Sequence, residues 1–183
     1  MLVYFLFHRL LGWYHLIKTC GNSSHKRTEV KIMVSIRKMQ KDDVGILYDI
    51  ALRSFQPDYE KYGVYPPVIN LKRKKFLPPL IFGKTILVDD IIIGGAFVIG
   101  FGKKGEIGSI FVDTLQQHKG YGKQAMLMIE TLYPRVKRWK LDVLAENYHL
   151  HGFYESLGYK KTGEMRDKAS GLNGFIYEKI IRQ

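Results

Sequence analysis

The sequence is poor in cysteine. Cys20 is the only cysteine among 183 residues, so the chain can form neither an intramolecular disulfide nor a metal site built from cysteine thiolates. A single isolated cysteine is typical of proteins from reducing compartments. We therefore predict a cytoplasmic protein.

The sequence also lacks an uninterrupted apolar segment that could cross a membrane. Its most apolar run is residues 1–17, but His8 and Arg9 interrupt it, and a spanning helix needs about 20 apolar residues. The run has neither the leading positive charge nor the small cleavage-site residues of a signal peptide. We expect no secretion and no stable association with a membrane.

Acidic residues are few relative to basic ones. The chain has 17 Asp and Glu against 29 Lys and Arg, a net charge of +12, which favours an anionic ligand, nucleic acid or an anionic surface as partner. The lysines are scattered and no nucleic-acid-reading motif is present, which disfavours a nucleic-acid partner. The apolar content of 46% excludes a mainly disordered chain.

The chain is long enough for one domain of about 150 residues with a short extension. Residues 18–32 are polar and turn-rich like a linker, and Met33 opens a segment typical of a domain start. We interpret residues 1–32 as an N-terminal extension, with a start codon placed too early as the favoured explanation. Residues 33–183 form the predicted domain, and their net charge is +8.

The apolar periodicity of residues 33–183 predicts a mixed α/β fold with helices inserted between strands. The predicted strands cover residues 34–39, two runs within 85–101 around a turn at Asp89-Asp90, 106–113 after a turn at 102–105, 138–143, 159–163 and 174–181. The predicted helices run from Asp42-Asp43 to near Phe55, then over 68–76, 120–133 and 147–157, with a turn-like segment at 56–67.

One strand runs through a glycine-containing loop directly into a helix. Glycines allow successive backbone N–H groups to turn toward an anion, and the helix N-terminus adds partial positive charge. A strand-to-helix turn without a ligand is the alternative interpretation. The loop and the two residues beside it are Gln117, His118, Lys119, Gly120, Tyr121, Gly122, Lys123 and Gln124.

A second motif follows, in which Asn147 precedes Phe153-Tyr154 and then Gly158-Tyr159. This pattern resembles the N…FYxxxGY/F motif of the GCN5-related N-acetyltransferases. Gln117 to Gly122 matches the Q/R-x-x-G-x-G/A acyl-CoA loop of the same superfamily. Residues 33–181 are similar to small single-domain bacterial members, while residues 1–32 lie outside the resemblance.

The resemblance implies a fold and a cofactor site. The fold is a mixed, splayed central sheet of the acyl-CoA N-acyltransferase type with helices on both faces. Acetyl-CoA lies between the strands that end at Val112 and Val143. Backbone groups of Phe111 and Val112 bind the pantetheine amides, and Val112 N–H also stabilises the oxyanion. The pyrophosphate is bound by residues 117–123, and Asn147 and Tyr154 contact the arm from the other side.

Two residues are candidates for proton transfer. Within the resemblance, Tyr154 is the general acid that protonates the departing thiolate, although its helical spacing also fits a packing residue. Glu106 is the candidate base, acting directly or through water, and a solvated strand-end glutamate is the alternative. We expect no metal, because His149 and His151 are two residues apart on a helix and face different sides.

We predict an acetyl-CoA-dependent N-acetyltransferase that acts on the primary amine of a small molecule by direct attack in a ternary complex. A tRNA-directed enzyme and a non-catalytic acyl-CoA-binding module on the same fold are the alternatives. The acceptor site should be shaped by residues 53–84 and by the turns after Tyr159, where carboxylates and tyrosines would suit a cationic amine. A small amine or amino-acid-like metabolite is the preferred acceptor, and an antibiotic or peptide amine is the alternative. The sequence leaves a homodimer open. The acceptor-side candidates are Asp58, Glu60, Tyr62 and Tyr65.

Overall fold

The computed structural model describes residues 33–63, 65, 69, 82–166 and 171–181. Ile32–Gln183 form one compact unit. Residues 1–32 lie outside the described residues, and so does the predicted basic helix at 68–76 apart from Ile69.

The described part of the chain contains seven strands and three α-helices. Their bounds are β1 (Val34–Lys38), α1 (Val44–Tyr62), β2 (Gly83–Val88), β3 (Ile91–Phe101), β4 (Lys104–Val112), α2 (Tyr121–Leu132), β5 (Arg138–Leu144), α3 (Tyr148–Ser156), β6 (Lys160–Arg166) and β7 (Asn173–Ile180). Single 3₁₀ turns at Lys41–Asp43 and Thr114–Gln116 precede α1 and follow β4.

All seven strands form one sheet in the order β1-β2-β3-β4-β5-β7-β6. Its neighbouring strands are antiparallel except β4 and β5, which are parallel. Both predicted hairpin turns are confirmed. Asp89 and Asp90 both have positive φ between β2 and β3, and Gly102 has φ 57° between β3 and β4.

The sheet opens between β4 and β5. The two strands pair only at their beginnings, and Glu106 opposite Lys140 is the last pair. Immediately afterwards β4 contains a bulge, because Ile107 and Ser109 pair with successive residues of β3 and leave Gly108 without a partner. A bulge bends and twists its strand, which explains why β4 turns away from β5 here. The predicted splayed sheet is confirmed.

Helices cover both faces of this sheet. A Cβ atom at Gly95 would lie 3.2 Å from Leu47 of α1, whereas neighbouring Ala96 belongs to a buried cluster with Met126 of α2 and Tyr154 of α3. Adjacent strand residues point to opposite faces, so α1 lies on one face and α2 and α3 on the other. We call these the α1 face and the α2–α3 face.

Helix α1 is longer than the sequence predicts. It continues through Pro57 to Tyr62 and ends at Gly63, whose φ of 71° is left-handed and whose N–H donates to Tyr59 O at 2.8 Å. The expectation of a turn-like segment from residue 56 is wrong for residues 56–62. Proline normally disfavours a helix interior because it lacks an N–H. Here the part of α1 after Pro57 has contacts of its own. The ring of Tyr59 stacks on that of Tyr65, with the ring centroids 4.2 Å apart.

Candidate active site

The β4 side of the gap is formed by backbone. Asp113 N–H donates to Ile93 O of β3 at 2.7 Å. Because hydrogen-bonding direction alternates along an antiparallel pair, the backbone groups of Phe111 also face β3, while those of Val112 face the gap. A Cβ atom at Gly94 of β3 would collide with the Phe111 carbonyl, which confirms that this carbonyl points toward β3. The backbone of Phe111 is therefore engaged with β3, which favours Val112 over Phe111 for the expected contact with pantetheine, and the Phe111 ring is buried against α1.

The Val112 carbonyl is already occupied. It accepts hydrogen bonds from Ser54 Oγ of α1 at 2.8 Å and from Gln117 Nε2 at 3.0 Å. A carbonyl oxygen has two lone pairs, so these two donors saturate it. What Val112 presents to the gap is its N–H. The Gln117 side chain thus fixes the loop to the strand. No sequence motif includes Ser54, so its contact with Val112 emerges only from the fold.

The loop after β4 has the conformation expected of an anion site. His118 and Gly120 have φ of 60° and 81°, both left-handed. Helix α2 begins at Tyr121 after Gly120, which has no side chain to cap the helix, so the N-cap residue leaves the first backbone N–H groups open to an anion. His118, Lys119 and Gly120 are exposed. Lys119 Nζ donates to Gln116 Oε1 at 2.9 Å.

Gly122 leaves space at the first turn of α2. A Cβ atom there would lie 3.7 Å from the ring of Phe153, an ordinary contact. The protein itself therefore does not require glycine at this position. Room beside a helix N-terminus is what the close approach of a phosphate needs.

Asn147 lies at the opposite side of the gap, directly before α3. It is 5% exposed, and its Nδ2 donates to Asp58 Oδ1 of α1 at 3.4 Å. Burial raises the pKa of Asp58 above its ordinary value, and the nearby His149 and Lys61 oppose this shift. Asp58, expected to bind a cationic acceptor, thus contacts Asn147 beyond the end of β5.

Tyr154 is buried on the α2–α3 face. Its ring packs at steep angles against Phe153 and Tyr159, with centroids 5.1 and 6.0 Å away. Burial, with a smaller contribution from the Asp142 carboxylate, raises the pKa of Tyr154 far above its ordinary value and keeps the phenol protonated. Asp142 lies two residues beyond Lys140, the last β5 residue that pairs with β4.

Glu106 lies on the α1 face of the sheet, opposite Tyr154. A Cβ atom at Gly105 would meet Trp139 on the α2–α3 face, so the next residue, Glu106, points to the α1 face. Its side chain is exposed and lines a shallow cavity of about 270 Å³ at the closed end of the gap. The structure thus places Tyr154 and Glu106 on opposite faces of the sheet near the point where β4 and β5 separate.

The histidines of α3 have different surroundings. His149 is exposed, whereas His151 is half-buried, with Nε2 3.0 Å from Ala145 O and Nδ1 3.0 Å from the Tyr177 hydroxyl. His151 therefore joins α3 to the sheet and is more than a surface residue, while a substrate-side position of His149 or His151 stays a prediction. Within the described ranges no group of three His, Cys, Asp or Glu side chains converges as a metal site requires.

The tyrosine-rich part of α1 is organised by local contacts. Tyr65 donates from its hydroxyl to Gln56 Oε1 at 2.6 Å, and Gln56 Nε2 donates to Glu60 Oε1 at 2.9 Å. Tyr62 contributes to a small crevice with Leu144. Neither Glu60 nor Tyr62 lines the cavity at Glu106.

No helix in the described part of the chain combines the length and apolarity needed to cross a membrane.

Comparisons with known proteins give a consistent result. The structure of PaiA N-acetyltransferase from Thermoplasma acidophilum in complex with coenzyme A is similar with a TM-score of 0.66 and 22% identity, over 81% of this chain and 99% of that one. The structure of the ribosomal-protein-S18-alanine N-acetyltransferase of Escherichia coli is similar with a TM-score of 0.65 and 19% identity, over 82% of this chain and 96% of that one.

A third similar structure is N-acetylglutamate synthase from Neisseria gonorrhoeae with coenzyme A and N-acetyl-glutamate. It has a TM-score of 0.64 and 17% identity, over 82% of this chain and 36% of that one. No curated protein significantly matches the sequence. The sequence model described as "Acetyltransferase (GNAT) family" matches residues 45–159, which is more than half of the chain. The chain therefore belongs to the acetyltransferase (GNAT) family and is an acyltransferase that uses acetyl-CoA.

Proposed function

We propose that this enzyme transfers the acetyl group of acetyl-CoA to the primary amine of a small molecule by direct attack in a ternary complex. The observation that carries the proposal is the open gap between β4 and β5, which has Tyr154 on one face and Glu106 on the other. The cavity beside Glu106 is about 270 Å³, a size that suits a small acceptor.

Cofactor binding rests mainly on backbone groups in this proposal. The Val112 N–H binds the pantetheine arm or the acetyl carbonyl, and alternation along β4 makes Ile110 its companion. The loop residues Gln117, His118, Lys119 and Gly120 and the first turn of α2, with Tyr121, Gly122 and Lys123, hold the pyrophosphate. Asn147 and Tyr154 contact the arm from the α3 side.

Glu106 on the α1 face and Tyr154 on the α2–α3 face carry the two proton transfers of the proposed reaction. Acetyl-CoA supplies an activated acetyl thioester when it is bound. The acceptor nitrogen forms a bond to the acetyl carbon and gives up its proton to Glu106, directly or through water. Val112 N–H stabilises the negative charge that develops on the acetyl oxygen. As the carbon–sulfur bond breaks, the Tyr154 hydroxyl donates its proton to the sulfur.

The test is a broad panel of amines assayed by free-thiol release in the presence of acetyl-CoA, with the acetylated product identified by mass. We expect thiol release that depends on the amine and yields one acetyl group on nitrogen. Tight binding of acetyl-CoA without amine-dependent release across the panel would instead support a non-catalytic acyl-CoA-binding module.

A tRNA-directed enzyme remains the second candidate because residues 33–183 have a net charge of +8. Electrophoretic mobility shift with tRNA over several salt concentrations tests it. Complex formation that persists at physiological salt would favour this candidate over a small-molecule acceptor. A cytoplasmic location is part of the proposal and rests on the single cysteine.

A further inference from the structure

The cavity beside Glu106 is formed by the α1 face of the sheet at the closed end of the gap. β3, β4, β5 and β7 all contribute side chains to it. Phe101, which is 87% exposed, supplies an apolar wall. Because Glu106 and Lys140 form the last β4–β5 pair, the cavity borders directly on the place where the strands separate.

The charges in this cavity are of both signs. Three cationic side chains, Lys104, Arg138 and Lys140, line it together with the carboxylates of Glu106 and Glu178. Arg138 and Glu178 pair at 4.0 Å. Among the described residues neither Lys140 nor Glu106 has an ion-pair partner within 4.0 Å, although the two are cross-strand neighbours. Lys140, which also lies opposite Glu178 of β7, thus stands beside Glu106 at the apex of the gap, and no ion pair in the described part of the chain uses either side chain.

We propose that the acceptor is a zwitterion of the amino-acid type, whose amine lies at Glu106 and whose carboxylate is bound by Lys140, with Arg138 and Lys104 adding positive charge. This inference rests on the proposed function and narrows its acceptor class. The ammonium group and the carboxylate of one small molecule match the adjacent charges. The ammonium group first gives a proton to Glu106, which passes it to water, so that the neutral amine can attack, and a charge-assisted hydrogen bond holds the carboxylate. The excess of cations disfavours polyamines, which would meet like charge at this site.

The test uses sets of three matched acceptors: a free amino acid, its carboxamide and the amine that lacks the carboxyl group. Each is assayed for kcat/KM by thiol release with the parent, Lys140→Met and Lys41→Met. Methionine keeps an unbranched apolar side chain and removes the charge. Lys41 is an exposed residue of the 3₁₀ turn before α1, lies outside the cavity and serves as control.

For the parent we expect the amino acid to exceed its carboxamide by about tenfold or more in kcat/KM, the effect of one hydrogen bond to a charged group. Lys140→Met should remove this preference and leave the carboxamide within about threefold of the parent value. Lys41→Met should keep the preference. Equal kcat/KM for amino acid and carboxamide in the parent, or an equal loss for both in Lys140→Met, would overturn the inference while the proposed function stands.

Calorimetric binding of the free amino acids in the presence of coenzyme A separates the two proposals further. Binding that Lys140→Met weakens, without turnover of any amine, would support the zwitterion site and contradict the transfer reaction. Absence of both binding and turnover would overturn both.

Discussion

Gly122 and Gly152 are both helical glycines, and only one of them faces the proposed cofactor. A Cβ atom at Gly152 would have nothing within 4 Å, and one at Gly122 would meet only Phe153 at 3.7 Å. Replacing a helical glycine by alanine stabilises a protein by up to about 1 kcal/mol. We expect Gly122→Ala to raise stability but weaken acetyl-CoA binding by about tenfold, or about 1.4 kcal/mol, because the methyl group occupies phosphate space.

Gly152→Ala is the matched control, expected to raise stability without any change in affinity. Calorimetric titration with acetyl-CoA and denaturant unfolding measure the two effects. Unchanged affinity of Gly122→Ala would show that the first turn of α2 is not the pyrophosphate site.

Tyr154 and Tyr159 are neighbouring buried tyrosines whose hydroxyls differ in their contacts. Tyr159 donates to Glu130 Oε1 at 3.1 Å, whereas no hydrogen bond of the Tyr154 hydroxyl is found in the described part of the chain. We expect Tyr154→Phe to lower the single-turnover rate by about 10² to 10⁴-fold with stability almost unchanged. Tyr159→Phe should instead cost about 1 kcal/mol of stability and leave the rate near the parental value.

Rapid-mixing measurements with the best amine from the panel give these rates. A parental single-turnover rate in Tyr154→Phe would mean that solvent or another group protonates the sulfur. Tyr154 would then be a packing residue, as its helical spacing alone already predicts.

At the scale of elements, β1, β2 and the start of α1 are joined at Asp43. Its carboxylate accepts from Arg37 at 2.6 and 2.7 Å, from Gln40 N–H at 2.8 Å and from Thr85 Oγ1 at 2.8 Å. These bonds, with that of Arg37 foremost, lower the pKa of Asp43 below its ordinary value. The stabilisation is therefore complete above about pH 4, the unfolded value, and is lost as pH falls through the lower folded value.

We expect Asp43→Asn to be less stable than the parent at neutral pH and to lose less stability between about pH 4 and 2. Denaturant unfolding over a pH series measures this difference. Asp42→Asn, which changes an exposed neighbour, is the control and should follow the parent. Parallel pH curves for Asp43→Asn and the parent would contradict the assigned role of Asp43.

The elements also show what the sequence could predict. Turns at Asp89-Asp90 and Gly102 and the end of α3 before Gly158 follow from local chemistry, and the structure contains all of them. The extent of α1 does not, because the proline and tyrosines after Phe55 predict a turn. Only the fold brings Asn147 to Asp58, and this tertiary contact involves the second half of α1. The β4 bulge at Gly108 is equally hidden, since pairing partners on β3 decide it.

The candidate site was predictable to a similar degree. Motif matching found the loop at residues 117–122 and the pair Asn147 and Tyr154. The motif does not show which backbone groups of β4 face the gap. The hydrogen-bonding direction alternates between Phe111 and Val112, and the register with β3 decides which of them faces the gap. No sequence motif includes Lys140 or Arg138. They become candidates for the acceptor site only because the sheet places them beside Glu106.

For the whole molecule, we predict that residues 33–183 are sufficient for cofactor binding. Met33 is already fixed to the β2–β3 turn, since its N–H donates to Asp89 Oδ1 at 3.2 Å and its carbonyl accepts from Asp89 N–H at 3.3 Å. A protein that begins at Met33 should unfold at the same denaturant concentration as the full chain and bind acetyl-CoA within about twofold. Aggregation or loss of binding in the shorter protein would assign residues 1–32 a structural role.

Acetyl-CoA is expected to bind in the gap between β4 and β5, against the free edge of β4. Amide hydrogen exchange, followed by NMR residue by residue with and without acetyl-CoA, measures this binding at the backbone groups that carry it. We expect the cofactor to slow exchange at Ile110, Val112 and the first turn of α2, while Phe111, already bonded to β3, changes little by comparison. Unchanged exchange at Val112 and Tyr121–Lys123 at saturating acetyl-CoA would show that the cofactor does not bind there.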